Sequence, residues 1–214
     1  ERTTLLAISH TLASTLELEP LLKNILENAV LILNSNAGSL FLMDNQTDEL
    51  IFKVTVGSVA SNLVGQRLPA GSGFVGRAVT TRAPVIVNDV HNEPGWLPNP
   101  LLPETKSEMA VPLVIGDQVL GVLDMQSERL NAFSEEDANI HTTLAAQVST
   151  ALQNARSFTR SQQQAERESK LNIISQKIQS ATTVEAVLQI AARELGHALG
   201  APMTIAQLSM KDKK

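Results

Sequence analysis

The stretch SEMAVPLVIGDQVLGVLDMQSERLNAFSEEDANIHTTLAAQVSTALQNARSF, residues 107–158, decides the fold of this chain. In its first part Met109, Val111, Leu113 and Ile115 alternate with Ala110, Pro112 and Val114, which predicts a strand. The pair Gly116-Asp117 predicts a tight turn, because Gly supplies the positive φ that a two-residue hairpin loop requires. A second apolar run from Gln118 to Gln126 predicts the returning strand, so the segment predicts a β-hairpin.

The long helix that follows the hairpin begins at a capping pattern. Ser134 and Asp137 are three residues apart, the spacing at which each side chain can accept a hydrogen bond from the backbone N–H of the other. The acidic residues of the first turn are stabilised by the positive end of the helix dipole. An apolar stripe then continues at alternating steps of four and three residues, the spacing of a coiled coil. We expect the stripe to pack on a second copy, which predicts a homodimer joined through helices. The stripe comprises Leu144, Val148, Ala151, Ala155, Phe158, Gln162, Ala165 and Ser169.

The upstream part of the chain predicts helices first and strands after them. Residues 3–34 carry apolar positions at helical spacing in two pieces, with Pro20 in the first turn of the second piece. Residues 37–44 and 49–56 predict a strand pair, and residues 73–82 a short helix. The second strand alternates apolar and polar positions, which predicts one buried and one wet face. Its apolar positions are Leu50, Phe52, Val54 and Val56.

A long irregular segment, Asn88 to Lys106, separates a short apolar run, Pro84 to Val87, from the hairpin. It holds four prolines, which make it stiffer than a Gly/Ser linker, and the only tryptophan of the chain, Trp96. Segments of this length without regular structure are uncommon in compact domains and more often form functional lids. We expect this one to cover a functional site.

This order of elements resembles the GAF domain family, sensory modules of signalling proteins. The residues that carry the resemblance are Ser107, AVPL at 110–113, GVL at 121–123, AFSEED at 132–137, ALQNAR at 151–156 and the segment VIVNDVHNEPGW at 85–96. The resemblance implies an α+β, GAF/PAS-like fold with a central antiparallel sheet of five or six strands. Helices then cover one face of the sheet, a short helix and loops cover the other, and a long linker helix ends the domain.

The face covered by the short helix and the loop is where the resemblance implies a small-molecule site. Both hairpin strands carry apolar side chains on both of their faces, so both faces of the sheet must be shielded from water. Long helices are available for only one of these faces. A short helix and a Pro-rich loop leave cavities more readily than packed helices do. The residues expected around this ligand site are Gly57, Phe74, Asn88, Asp89, Trp96, Ser107, Met109 and Asp124.

The domain organisation predicted from the sequence has three parts. Residues 1–156 form the GAF domain, 157–182 a helical linker, and 183–214 the truncated start of a second GAF-like unit. The last part is predicted from an internal echo at a constant offset of 166 residues. Ile8-Ser9 returns as Ile174-Ser175, and Leu21-Leu22 returns as Val187-Leu188. The chain opens at Glu1 without an initiator methionine, and we expect it to be part of a longer protein.

Composition excludes several classes of function. The net charge of −5 is spread along the chain without a basic stripe, which argues against nucleic-acid binding. No apolar run approaches the length that spans a bilayer, so we expect no membrane segment here. The absence of cysteine fits a reducing cytoplasm. It also excludes a thiol nucleophile, a disulfide, a thiolate metal site and a covalently attached bilin.

Three local patterns have alternative interpretations. Gly71 to Gly76 matches G-x-G-x-x-G, but no buried strand precedes it and the helix after it is too short for a parallel crossover, so a Gly-rich helix entry is the alternative. His91 between Asp89 and Glu93 offers metal-ligand chemistry, but loop spacing fixes no coordination geometry. Asp124 is either hydrogen-bonded to nearby backbone or a pocket-lining acid.

The leading functional hypothesis is a sensory domain of a cytoplasmic signalling protein whose ligand, of unknown identity, changes the helix beyond residues 127–134. The alternative is a ligand-free dimerisation spacer. An enzyme is the third hypothesis, but no catalytic motif is present, and a histidine kinase or cyclase output domain would lie outside these residues. Family branches that depend on cysteine, the bilin carriers and the free methionine sulfoxide reductases, are excluded by composition. The N-K-x-F-D-E pattern of the cyclic-nucleotide branch is absent as well.

Overall fold

The computed structural model describes residues 18–57, 62–181 and 183–199. The chain divides into two compact units, Glu1–Arg156 and Ser157–Lys214. Two predicted parts lie outside the described residues: the first helical piece, before residue 18, and the portion of the predicted second GAF-like unit after residue 199.

One six-stranded sheet organises the first unit, and every strand pair in it is antiparallel. This confirms the predicted α+β fold. The strands, in chain order, are β1 Ala37–Asp44, β2 Glu49–Val56, β3 Arg67–Pro69, β4 Val85–Val87, β5 Ser107–Ile115 and β6 Gln118–Ser127, and they lie side by side as β3-β2-β1-β6-β5-β4. The helices are α1 over 18–32, α2 Gly73–Thr81, α3 Glu135–Gln179 and α4 Val184–Leu199.

The two faces of the sheet are covered by different elements. Helices α1 and α3 lie on one face, where Leu26, Ala29, Val148 and Leu152 pack with strand residues such as Met109 in one apolar cluster. Helix α2 and the segment after β4 lie on the other face, with a second cluster of apolar side chains. That cluster contains Phe41, Leu50, Phe52, Phe74, Val75, Val90 and Val122. The second face is therefore closed by one short helix and irregular backbone.

The prediction for β2 is wrong in one respect. Leu50 and Phe52 pack on the α2 face, but Val54 belongs to the cluster on the helix face. The reason is a register shift: Leu40 pairs with Val54 and Phe41 with Phe52, so Lys53 has no partner in β1. One extra residue in a strand moves every later side chain to the opposite face. Both faces of β2 therefore contribute to the core.

Close approach of two backbones fixes one position in the middle of the sheet. Gly121 in β6 lies where the strand passes β1, and a Cβ atom there would overlap the carbonyl oxygen of Phe41. It would also lie 3.0 Å from the carbonyl carbon of Phe41 and 3.1 Å from the Cα of Leu42. Only glycine fits this position without moving the central strands apart.

The start of α3 confirms the predicted cap. The Ser134 backbone N–H donates to Asp137 Oδ2 at 2.8 Å, and the Asp137 N–H donates to Ser134 Oγ at 3.2 Å. This reciprocal pair satisfies donors that a helix N-terminus otherwise leaves without acceptors. The helix face toward the sheet includes His141, which is fully buried. Burial lowers the pKa of His141 to about 3, so its imidazole is neutral.

Part of the apolar stripe on α3 packs against residues of its own unit. Val148 is only 1% exposed and packs in the core of its own unit, where Leu144 also packs. The first two positions of the stripe, Leu144 and Val148, are therefore covered within their own unit. Phe158 remains 45% exposed.

The second unit contains the end of α3 and the helix α4. Lys177 Nζ lies 2.7 Å from Glu194 Oε1, which joins the two helices within this unit. Among the described residues, no helix combines the length and the hydropathy that a bilayer crossing requires.

Candidate functional site

A cavity of about 140 Å³ lies on the α2 face of the sheet. Its floor is formed by strands β1, β2, β5 and β6, and its walls by the start of α2 and by the segment after Trp96. Its described lining consists of Phe41, Phe52, Gln66, Leu68, Ser72, Gly73, Phe74, Val75, Leu97, Pro98, Asn99, Pro100, Glu108, Asp124 and Gln126. The lining is mixed: its polar side chains are Gln66, Ser72, Asn99, Glu108, Asp124 and Gln126, and the last three lie on β5 and β6.

Those polar groups include two buried carboxyl groups on neighbouring strands. Asp124 on β6 pairs with Ala110 on β5, and Gln126 pairs with Glu108. Glu108 and Asp124 are thus diagonal neighbours on the same face of the sheet, where side chains reach each other. Asp124 is 1% exposed and Glu108 is 6% exposed.

Burial dominates the electrostatics of this pair. Removal from water, together with the neighbouring Asp124 carboxylate, raises the pKa of Glu108 well above its ordinary value. Burial also raises the pKa of Asp124 to about 7, although hydrogen bonds from Gln126 and Glu108 oppose the change. Burial and mutual repulsion therefore disfavour the state in which both carboxyl groups are ionised.

One oxygen of Asp124 lacks a hydrogen-bond partner among the described residues. Oδ2 accepts from Gln126 Nε2 at 3.1 Å, whereas Oδ1 is buried and unsatisfied. A buried acceptor without a donor is destabilising by about 1–3 kcal/mol, and more if it is charged. A protonated Glu108 beside it, or a bound molecule, can supply that donor.

The acid pair is connected to the Pro-rich segment by a short chain of hydrogen bonds. Thr105 Oγ1 lies 2.9 Å from Gln126 Oε1 and 3.0 Å from the Leu102 carbonyl oxygen. Its single proton can be donated to either acceptor. Gln126 in turn donates to Asp124. These contacts link Asp124 to the segment that covers the cavity.

The wall opposite the sheet is the first turn of α2. Ser72, Gly73, Phe74 and Val75 line the cavity, and Ser72, the N-cap residue, makes no side-chain capping bond. Arg77, one turn further, lies 4.9 Å over the Phe74 ring and pairs with Glu93 at 2.7 Å. That ion pair ties α2 to the irregular segment.

The structure brings two of the eight predicted site residues, Phe74 and Asp124, to the cavity. Their role in ligand binding stays a prediction. For Asp124, the carboxylate lines the cavity and accepts from a side chain, which favours the second of the two interpretations weighed from the sequence.

Met109 lies on the other face of the sheet, in the cluster beneath the long helices. A regular two-residue hairpin would place Met109 opposite Asp124. The register of the β5–β6 pair shifts between Leu113 and Val114, however, so Ala110 lies opposite Asp124 instead. This one-residue shift turns Met109 away from the cavity and Glu108 toward it.

Asn88 and Ser107 hold the backbone near the start of α3. Asn88 Nδ2 donates to the Phe133 carbonyl at 2.9 Å, and the Phe133 N–H donates to Asn88 Oδ1 at 3.2 Å. Ser107 Oγ lies within 2.7 Å of the Arg129 carbonyl and 3.0 Å of the Asn88 carbonyl. These two residues fix the strand-to-helix connection and do not line the cavity.

The other predicted residues are placed beside the cavity lining or away from it. Asp89 closes a turn by accepting from the His91 N–H and from Asn92. Trp96 packs against the His91 ring, with centroids 4.5 Å apart, immediately before the lining segment. Gly57 ends β2 with φ of 127° beside Ala37.

Sequence reasoning missed the residue that completes the acid pair, Glu108, and its neighbour Gln126. A signal was present, since both are polar positions inside strands that are otherwise apolar. Only the register of the hairpin shows that they share a face with Asp124. Phe41 and Phe52, whose ring centroids are 4.1 Å apart, form an aromatic wall that the sequence does not assign to a site.

Two of the local sequence patterns have structural roles in the fold. The glycines at 71–76 form a tight helix entry, because a Cβ on Gly76 would overlap the backbone of Gly71. The sheet beside them is antiparallel, unlike a dinucleotide-binding sheet. Around His91, Glu93 is paired with Arg77 and Asp89 closes a turn, and no group of three possible metal ligands occurs among the described residues.

Comparison with known proteins agrees with this architecture. The family model of the GAF domain matches residues 15–153, well over half of the chain. The GAF domain of a phosphoenolpyruvate-protein phosphotransferase from Coxiella burnetii superposes with a TM-score of 0.61 at 26% identity, covering 71% of this chain and 95% of that one. The chain belongs to the GAF domain family, whose members are regulatory and sensory modules of signalling proteins.

Two curated relatives show the range of the family. Free methionine-R-sulfoxide reductase of Escherichia coli (strain K12) is 28% identical over 117 residues, which cover 55% of this chain and 66% of that protein. GAF domain-containing protein A of Dictyostelium discoideum is 33% identical over 104 residues, covering 49% of this chain and 61% of that protein. The match thus spans a little less than two thirds of either relative. The first is named as an enzyme, and the second is named only for its GAF domain.

Proposed function

We propose that this chain is the sensory domain of a cytoplasmic signalling protein and that it binds a small molecule in the cavity between β5, β6 and α2. The observation that carries the proposal is the buried Asp124, which lines the cavity and whose Oδ1 accepts no hydrogen bond from the described residues in the structure. A spacer domain would gain stability by filling this space with side chains and by replacing both acids. A bound donor makes the arrangement favourable.

The proposed relay starts at the hydrogen bonds of the acid pair. A ligand that donates to Asp124 Oδ1 lies beside Gln126, which donates to Oδ2 of the same carboxylate and contacts Thr105 in the segment that covers the cavity. Asn88 and Ser107, at the two ends of that segment, hold the backbone at 129–133, just before α3. Ligand binding thus changes the populations of two arrangements of the covering segment and of the helix start.

We also propose that the domain binds its ligand without transforming it. The Escherichia coli relative is a reductase by name. Removal of the oxygen atom of a sulfoxide requires an electron donor, and the cysteine thiols that the reductase branch uses are absent from these 214 residues. The acid pair can hold and release a proton, but it supplies no electrons.

The direct test is a panel of small molecules at pH 7, comprising amino acids, amines, oxoacids and nucleotides, read out by melting temperature. At least one compound is expected to raise the melting temperature of the wild type, because a ligand that binds only the folded state stabilises it by mass action. The same compound should have little effect on Asp124→Asn, measured against that variant without ligand. Trp96 emission is expected to shift with the same compound.

The matched control for this panel is Asp117→Asn, at the fully exposed hairpin turn. It changes the same chemical group outside the cavity and should respond to the compound as the wild type does. If no compound in the panel stabilises the wild type, or if Asp124→Asn responds equally, the acid pair is not a ligand site and a spacer role remains.

A homodimer joined through helices remains part of the proposal. The part of the stripe beyond Val148 supports it, since it continues at coiled-coil spacing and includes Phe158, which is 45% exposed. Sedimentation at tens of micromolar is expected to give a dimer mass, and Phe158→Glu should weaken the dimer at least tenfold. Arg156→Glu, an exposed position off the stripe, is the matched charge control. A monomer mass for the wild type contradicts the proposal.

A further inference from the structure

A shared proton allows the two buried acids to lie side by side on the sheet. Asp124 and Glu108 are diagonal neighbours on one face of β5 and β6, and they are within hydrogen-bonding reach of each other. Two carboxyl groups can form a hydrogen bond only when one of them is protonated. A protonated Glu108 donates to Asp124, whose Oδ1 accepts from no other residue among those described. The number of protons on the pair therefore decides which hydrogen bonds Asp124 can make.

Among the described residues, few other charges act on the pair. The described lining of the cavity contains no charged side chain apart from the two acids. Burial is the main cause of the raised pKa of Glu108; Arg77, the only charged residue of α2, opposes it but is already paired with Glu93 at 2.7 Å. Strand β4 carries no charge, and β1 places the uncharged Ser39 opposite Asp124. The remaining charged residues of β1 and of the segment before β5 lie outside that lining: Asp44, Asp89, His91, Glu104 and Lys106. The charge of the pair is therefore set mainly by its own protons.

The amide of Gln126 is placed to respond to the charge of Asp124. Its Nε2 donates to Asp124 Oδ2 at 3.1 Å, and its Oε1 lies 2.9 Å from Thr105 Oγ1. An ionised carboxylate only accepts hydrogen bonds, so it requires the NH₂ group of Gln126 on its side. A protonated Oδ2 donates instead, and its acceptor is then the amide carbonyl of Gln126, which requires the amide to turn over. Protonation of Asp124 thus exchanges the two ends of this amide.

Thr105 transfers this exchange to the segment over the cavity. Its hydroxyl has one proton and two acceptors in reach, Gln126 Oε1 and the Leu102 carbonyl oxygen, the second at 3.0 Å. When Gln126 presents its NH₂ group, the hydroxyl accepts that bond and donates its proton to Leu102. The Leu102 carbonyl already accepts from the Thr105 backbone N–H at 3.3 Å, so the turn 102–105 gains a second hydrogen bond. Thr105 is 5% exposed, which leaves little water to replace either bond.

We propose that the acid pair, Gln126 and Thr105 form a proton-sensitive switch, which tightens the turn 102–105 when Asp124 is protonated and loosens it when Asp124 is ionised. Burial raises the pKa of Asp124 from 3.8 to about 7, so the switch works near neutral pH. A fall in pH tightens the turn over the cavity, and a rise in pH loosens it. The signal is the proton itself and no small molecule is required, so this inference goes beyond the proposed function and does not depend on it.

NMR titration of the full chain without added ligand tests this switch, between about pH 5 and pH 8. In the wild type, three signals are expected to shift with one common midpoint near pH 7: the carboxyl carbon of Asp124, the side-chain NH₂ group of Gln126 and the backbone amides of residues 102–105. Asp124→Asn should remove this midpoint from Gln126 and from the turn. Asp117→Asn, at the exposed hairpin turn, should retain it.

Substitution of Thr105 separates the switch from simple titration of a buried acid. Thr105→Val replaces the hydroxyl group by a methyl group in a side chain of nearly the same shape. The carboxyl carbon of Asp124 should still titrate in this variant, whereas the amides of residues 102–104 should lose their response. Thr105→Ser keeps a hydroxyl group at the position and should keep the response.

Three results would overturn the proposal. The first is an Asp124 carboxyl group that titrates near its ordinary value of 3.8. The second is titration near pH 7 that neither Gln126 nor the turn 102–105 follows. The third is a Thr105→Val protein whose turn responds as the wild type does. Because the titration contains no small molecule, each of these results leaves the ligand panel unaffected, and a panel without binders leaves the switch intact.

Discussion

Asp124→Asn is expected to stabilise the fold, and its advantage over the wild type should grow by about 3 kcal/mol between pH 5 and pH 8, since a pKa change of one corresponds to about 1.4 kcal/mol. The pKa of Asp124 is raised from 3.8 to about 7, chiefly by burial. Between these values the unfolded chain binds fewer protons than the folded one. The wild type therefore loses stability as the pH rises and stops losing it above pH 7.

Urea unfolding of both proteins at several pH values measures this difference. The asparagine side chain has nearly the same shape as the aspartate side chain and carries no charge, and it also removes the negative neighbour that raises the pKa of Glu108. Asp117→Asn, at the exposed turn, should show no such growth with pH. Parallel pH profiles for Asp124→Asn and the wild type would show that the carboxylate is not held in the buried state described here.

The same carboxylate links binding to pH. A ligand group that donates a hydrogen bond to Asp124 prefers the ionised carboxylate, so the affinity of such a ligand is expected to rise with pH up to about 7 and then to level off. A substitution that stabilises the protein but weakens ligand binding indicates that the original residue is kept for function.

Gly121→Ala is expected to prevent folding, with a loss of more than about 4 kcal/mol, which is exceptional for a single substitution. The added Cβ would overlap the carbonyl oxygen of Phe41, and it would meet backbone atoms of the central strand β1 that no rotamer change can move. Loss of the cooperative unfolding transition and of dispersed amide NMR signals would show this. Gly71→Ala is the matched control, because a Cβ there has no atom within 4 Å. A stable, dispersed Gly121→Ala protein would mean that β1 and β6 are not adjacent at this point.

Local signals in the sequence predict much of this fold. The turn at Gly116-Asp117 and the cap at Ser134 depend on residues close in the chain, and both are present. The antiparallel order of the sheet is implied by the family resemblance and is confirmed. The three-residue strand β3 carries too short a pattern to be predicted, since only Leu68 in it is half-buried.

Irregular pairing accounts for most of the remaining differences. The bulge at Lys53 and the register shift after Leu113 each offset the strand pairing by one residue. Each offset reverses which side chains of the strand face the cavity. Neither is visible in a single strand, because a bulge is a property of two paired strands. The same shift places Glu108, and not Met109, beside Asp124. The stripe on α3 shows a related limit of spacing: it predicts that Val148 is covered, but not that the covering residues belong to its own unit.

Hydrogen exchange of backbone amides, with and without the panel compound that raises the melting temperature most, tests the sensing mechanism most directly. We predict slower exchange in residues 97–105, which cover the cavity, and in residues 128–140, which lead into α3. Asp124→Asn should show neither effect, and Asp117→Asn should show both. Slower exchange confined to segments outside the cavity, or equal changes in wild type and Asp124→Asn, would contradict a ligand-driven relay through the acid pair.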